Sequence, residues 1–149
     1  MPKYNGKNAY LFQGAVSLMI EKVLDYVFRK NIHFLLDGTF SYLEVARKNI
    51  KRAISKNRLI QINYVYQPED VAWGFTQERE KVMNRRITKE IFDDSCKNAK
   101  MVVAQIKEEF RENVKVDLIV RNVKTNKYRY YFNKDVEEIK GIDKKCNLL

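Results

Sequence analysis

Apolar positions return every three or four residues between Asn8 and Lys30: Leu11, Phe12, Ala15, Val16, Met19, Ile20, Val23, Leu24, Val27 and Phe28. That spacing predicts an amphipathic helix. Its stripe is wide, so the helix is expected to pack heavily, with Asn31 ending it in a left-handed turn. The run His33 to Asp37 (HFLLD) stops at Gly38 and reads as a short buried strand of a parallel sheet. Thr39 or Ser41 then caps a second helix, about Tyr42 to Lys56. Its inner face is Val45, Ala46, Ile50, Ala53 and Ile54. Its outer face carries Arg47, Lys48, Lys51, Arg52 and Lys56, followed by Arg58.

LIQINYVY, residues 59–66, predicts a second strand that ends before Pro68, because proline cannot donate to a ladder. Pro68 suits the first turn of a third helix, and Glu69 and Asp70 complement the dipole at its start. That helix is expected to run to about Lys81, with a loose basic stretch from Met83 to Ile87. Thr88 caps a long helix to about Glu112, with Ile91, Phe92, Ala99, Val102, Val103, Ile106 and Phe110 inside. Val114, Val116, Leu118 and Val120 alternate with polar residues, as a strand does. A turn around Lys124, Thr125 and Asn126 joins it to YRYYF, residues 128–132, in a C-terminal hairpin. A short acidic helix, Asp135 to Lys140, precedes a charged tail.

Helix, strand, helix, strand, helix, helix, strand is an α/β order. It implies a mostly parallel sheet with helices on both faces, a three-layer fold. Ligands on such sheets sit at the carboxyl ends of the strands. Asp37-Gly38-Thr39 and Gln67-Pro68 fall on that edge, and the basic segment Arg79 to Lys89 is long enough to fold over it. There is no repeat and no linker, so residues 1–149 are read as one domain.

Composition narrows the function classes. Lys and Arg number 29 against 19 Asp and Glu, a net charge of +10, which favours anionic partners: nucleotide, nucleic acid, nucleoprotein or membrane surface. Cys96 and Cys146 make no disulfide framework or metal spacing and fit a reducing compartment. No apolar run approaches the ~18 residues of a membrane span. The N-terminus lacks the apolar region of a signal peptide. A cytoplasmic protein without a membrane partner is therefore expected.

Five blocks occur in one order: YNGKNAYLFQGA (4–15), LLDGTF (35–40), EVARKNI (44–50), YVYQPEDVAWGFTQERE (64–80) and RRITKEIF (85–92). Together they resemble the zeta toxin family, and within it the plasmid- and phage-borne zeta toxin-like branch. The resemblance covers about residues 4 to 120. It implies a P-loop kinase fold and, from the type members, ATP-dependent phosphorylation of UDP-N-acetylglucosamine. It also implies roles for residues here. Asp37-Gly38-Thr39 matches the family's acidic-Gly-Thr motif beside metal and sugar. Arg79, with Arg85 or Arg86, matches the arginines that hold the triphosphate, for which a bidentate guanidinium fork is suited. Tyr4, Asn5 and Lys7 fall where the family builds part of its substrate wall.

The departures carry as much weight. Family members have a segment ahead of the YNGKN block that supplies the first strand, the P-loop and the acidic base. Here Met1 stands just before that block. The glycines are Gly6, Gly14, Gly38, Gly74 and Gly141, and none begins a G-x-x-x-x-G-K-[ST] motif. Phosphoryl transfer depends on positioning and charge stabilisation, so the missing cradle is expected to silence the chain alone. No cofactor is then expected; ATP and Mg²⁺ enter only if a partner completes the site, with Asp37 as metal ligand only in that case. The first strand of such kinases lies between those matching 33–37 and 59–65. Its absence predicts an incomplete sheet with open edges, filled by a polypeptide partner, closed by direct pairing, or paired with a second copy.

Two other readings stand beside this one. One is a basic binding protein or inhibitor of anti-defence type, acting on a nucleic-acid-handling enzyme or its RNA through Lys48, Lys51, Arg52, Lys56 and Arg58. The other is one half of a split kinase. Simpler roles are open at each residue: Asp37 as a helix cap, His33 as structural, Trp73 and Phe75 as core packing, and Arg79, Arg85, Arg86 and Lys89 on a solvated face. Tyr128, Arg129, Tyr130 and Tyr131 alternate as single-strand binders do, and also as an edge hairpin packs, which is the favoured reading.

Overall fold

A computed structural model describes residues 9–84, 86–122 and 125–142. After a 3₁₀ turn, Ala9–Phe12, come α1 (Gln13–Arg29), α2 (Leu43–Ile54), β1 (Gln61–Tyr66), α3 (Glu69–Met83), α4 (Lys89–Phe110), β2 (Lys115–Asn122), β3 (Lys127–Tyr131) and α5 (Val136–Lys140). The sheet order is β1-β2-β3. β1 lies parallel to β2, Gln61 opposite Lys115 through Tyr66 opposite Val120. β3 is antiparallel to β2, Leu118 opposite Tyr131 through Asn122 opposite Lys127. This is an α/β chain with a mixed sheet and a C-terminal hairpin, consistent with part of a P-loop-kinase-like fold.

Local chemistry explains most boundaries. Asn31 takes a positive φ of 54° and ends α1, as an asparagine without a bulky branched Cβ does readily. Pro68 precedes the first turn of α3, and Asn84 ends that helix in the left-handed region. Thr88 Oγ1 accepts from the Ile91 N–H at 3.4 Å. Lys107 Nζ donates to the carbonyls of Arg111 and Val114 at 3.2 and 2.9 Å, capping the end of α4. Asp135 caps α5 by accepting from the Glu138 N–H at 2.9 Å.

The core lies on one face of the sheet. Val116, Leu118 and Val120 have no exposure, and Ile106, Val114, Ile139 and Ile142 match them. Ala46 and Ile50 of α2 and Val102, Val103 and Phe110 of α4 close this layer. Arg47 leaves the outer face expected for it and ties the two helices. Its Nε donates to Glu109 Oε2 at 2.7 Å, and it also pairs with Glu44. The bond to Glu109 is the main reason its pKa is raised.

Three expectations are corrected. HFLLD forms no strand: residues 32–37 are irregular, and Leu35 is 83% exposed. A strand needs a hydrogen-bonding neighbour, and β1 pairs only with β2 among the described residues. Nor does α1 pack heavily, since only Leu24 and Phe28 of it are buried. Most of its apolar stripe is left exposed, Met19 at 68% and Val23 at 60%. Finally, among the described residues the sheet is not covered on both faces. Register puts Gln61, Asn63, Val65, Asp117, Ile119, Arg121, Tyr128 and Tyr130 on the face opposite the core. The β1 and β3 members of that set are exposed.

Candidate functional site

The residues expected to handle phosphate fall in two places. Asp37, Gly38 and Thr39 lie in the irregular stretch before α2. Asp37 is exposed and makes no hydrogen bond or ion pair among the described residues. Thr39 Oγ1 and Ser41 Oγ share a hydrogen bond of 2.9 Å. Neither they nor Asp37 caps α2, whose N-cap is Tyr42 without a side-chain bond. Arg79 is exposed on α3. Arg86, just beyond that helix, has its Nε 3.9 Å from Glu80 Oε1. No described hydrogen bond or ion pair brings Asp37 or Thr39 together with Arg79 or Arg86. Tyr4, Asn5, Lys7 and Arg85 lie outside the described residues.

A bound nucleotide triphosphate needs backbone N–H groups converging at a helix start after a strand. Among the described residues the one strand-to-helix step onto a long helix is β1 to α3. It begins with Pro68, which has no N–H, and continues with Glu69 and Asp70. Two carboxylates in the first turn repel phosphate where the dipole would attract it. The residues present do not fit Mg-ATP at this junction. No group of three or more His, Cys, Asp or Glu side chains suited to a metal ion occurs among the described residues. His33 is exposed in the irregular stretch.

The basic face of α2 has a different use. Lys48 Nζ reaches Glu21 Oε2 at 2.8 Å, and Arg52 reaches Asp25 Oδ1 at 2.6 Å. The Arg52 guanidinium also lies 4.6 Å from the Phe28 ring centroid. Arg58 lies over both Phe28 and Phe34, 5.4 and 5.2 Å from their centroids, and donates to the Ile32 carbonyl. Phe28 and Phe34 themselves meet edge to face at 5.3 Å. Three of the five cations thus clamp α1 and the 32–34 stretch to α2, leaving exposed Lys51 and Lys56 without a described partner.

Two open surfaces stand out among the described residues. The first is aliphatic: a groove of about 380 Å³ between α1 and the following stretch, lined by Val16, Met19, Ile20, Val23, Phe34 and Leu35 with neighbours. β1 pairs only with β2 among the described residues, and its Val65 is 58% exposed. The second is aromatic and cationic. Arg121 stands opposite Tyr128, its guanidinium 5.6 Å from that ring and 5.9 Å from Phe75. Tyr128 and Tyr130 lie nearly parallel, at 26°, with centroids 6.4 Å apart. Trp73 differs from Phe75: it packs on Phe92 at 5.3 Å, between α3 and α4.

Sequence reasoning missed Arg121, which joins the tyrosines only through the β2–β3 register. Its signal was the one basic residue closing an apolar alternation, at the strand end facing YRYY. It missed the aliphatic groove because a wide apolar stripe ordinarily means burial.

The family model described as zeta toxin matches residues 1–134. Comparisons with curated proteins and with solved structures gave no match. The match spans most of the chain and agrees with the α/β order and the five colinear sequence blocks, so this chain belongs to the zeta toxin family.

Proposed function

We propose that this chain is a zeta-toxin-like kinase-fold protein that does not phosphorylate a UDP-sugar by itself and works through association with another polypeptide at the open edge of its sheet. The observation that carries this is that β1 pairs only with β2 among the described residues, while an aliphatic groove stands open along α1. A free strand edge offers main-chain donors and acceptors that an extended polypeptide matches. An aliphatic groove favours apolar side chains over any charged ligand. The misfit of the β1–α3 junction to triphosphate, and the lack of a G-x-x-x-x-G-K-[ST] motif, support the loss of independent activity. ATP and Mg²⁺ belong to this reading only where the partner brings the phosphate cradle, the split-kinase form of the same proposal. Asp37, Thr39, Arg79 and Arg86 would then resume the roles the family implies.

The test is an assay of the pure chain with Mg-ATP and UDP-N-acetylglucosamine, following ADP release and sugar phosphate. No turnover is expected. Turnover that co-elutes with the chain overturns the proposal. Adding a polypeptide that carries a first strand and a P-loop then separates the two forms: activity restored in trans marks a split kinase, and binding without activity marks a protein that acts by association. Val65→Lys, a charge on the open edge, is expected to abolish either. Unchanged binding by Val65→Lys would remove the edge from the proposal.

A further inference from the structure

We propose that the open face of the β2–β3 hairpin is a binding platform for single-stranded nucleic acid, a site separate from the β1 edge and independent of the reading above. Tyr128 and Tyr130 project from the same face of β3, and Arg121 projects beside them from β2. The rings are 45% and 56% exposed, although each is large enough to be a core residue. Phe75 comes to the same place from α3, a separate element, with Arg121 between it and Tyr128. A hairpin that only packed its own cross-strand pairs would not need a third ring from a helix. Phe132, next along the chain, is 71% exposed.

The chemistry of this face differs from that of the α1 groove. Flat rings and a guanidinium plane are what bases stack on, whatever their sequence. One amino group of Arg121 donates to Asn126 Oδ1 at 3.1 Å, while its Nε is buried without a partner among the described residues. Lys115 is exposed at the far end of β2 on the same face, and the whole chain carries +10, so the electrostatic complement is a polyanion. Asp117, the one acid of the described strand residues on this face, is already engaged. It accepts from Gln61 Nε2 at 2.7 Å and from the Asn133 N–H at 2.8 Å. A duplex keeps its bases stacked inside and cannot offer their faces to the rings, so the platform selects single strands.

The experiment uses the full chain and fluorescein-labelled oligo-U, oligo-dT and a duplex of equal length, read by anisotropy. Single strands are expected to bind at least about tenfold more tightly than the duplex. Removing one ring, in Tyr128→Ala or Tyr130→Ala, is expected to weaken single-strand binding roughly tenfold, the size of a base–ring stack. Tyr128→Phe and Tyr130→Phe keep the rings and are expected to bind as the parent does. Lys51→Ala with Lys56→Ala, on the α2 surface, is expected to change affinity little. Circular dichroism of each variant separates lost binding from lost fold. Duplex binding as tight as single-strand binding, alanine variants that are folded and bind unchanged, or no binding to either oligonucleotide overturns the proposal. Oligo-U against oligo-dT then tells RNA from DNA as the source.

Discussion

The two halves of this molecule use the same kinds of residues and reach opposite states. In one half, α4, β2 and α5 bring Ile106, Leu118, Ile139 and Ile142 to zero exposure. In the other, α1 carries an equally apolar stripe, yet Met19 and Val23 stay 68% and 60% exposed. The difference lies in the neighbours. Each buried residue of the first half faces a second element, with helix and strand stacked across one sheet face. Within α1 and among the described residues, the stripe is buried only toward its last turns, where Phe28 is held under Arg52 and Arg58. Periodicity states which residues a helix wants to bury; only the rest of the fold decides whether it does.

Core truncation should split the halves most sharply. Leu118→Ala is expected to destabilise by about 2–5 kcal/mol, since a buried leucine loses both transfer energy and packing. Met19→Ala on α1 is expected to stay within about 0.5 kcal/mol, as an exposed change away from special contacts does. Urea unfolding of both variants measures this. A large loss from Met19→Ala would show that α1 is covered in solution, by another polypeptide or by a second copy.

The junction between the halves comes next. Phe28→Ala removes the ring on which two guanidinium groups rest. Such a truncation costs about 3–5 kcal/mol in a full core, and here the loss is expected to appear as local undocking of α1. Limited proteolysis near Arg29 and Lys30 should accelerate many-fold while the main unfolding transition keeps its midpoint. Equal shifts in both would mean that α1 and the core unfold as one unit. Within the core half, Thr88→Ala removes the N-cap of α4 and is expected to cost about 1 kcal/mol by the same urea measurement. A change under a few tenths would show that the 3.4 Å bond to Ile91 contributes little.

Legibility divides along the same line. The cap at Thr88, the turn at Asn31, the alternation of Val114 to Val120 and most of the inner face of α4 are readable from local chemistry, whereas Val45 of α2 and Ile91 of α4, expected inside, are 53% and 59% exposed. HFLLD differs from its expectation, since an apolar run of that length is a strand only beside another strand, and no strand pairs with it among the described residues. The outer cations of α2 were legible as a basic face but not as a clamp, because Glu21 and Asp25 meet Lys48 and Arg52 only through helix packing. Asp37, Thr39 and Arg79 were named through family resemblance, which carries motif positions but not the distances between them. The platform of Arg121, Tyr128, Tyr130 and Phe75 depends on strand register, which alternation alone does not fix.

The smallest expected effect lies at the α3–α4 contact, beside Trp73 and Phe92, and is read through Cys96. Burial raises its thiol pKa first, and the carboxylates of Glu69 and Asp93 raise it further, while Lys89 opposes them. A raised pKa leaves less thiolate near neutral pH, and the thiolate is the nucleophile. In a Cys146→Ser background, iodoacetamide is therefore expected to alkylate Cys96 more slowly in the folded chain than in urea. The gap should narrow as the pH rises through the folded thiol's pKa, when both states are ionised. Glu69→Gln should quicken the folded reaction, and Lys89→Ala should slow it. Equal rates in folded and unfolded chains at neutral pH would mean that the α3–α4 contact opens faster than the reagent samples it. That contact would then belong with the loosely held half of the molecule rather than with the core.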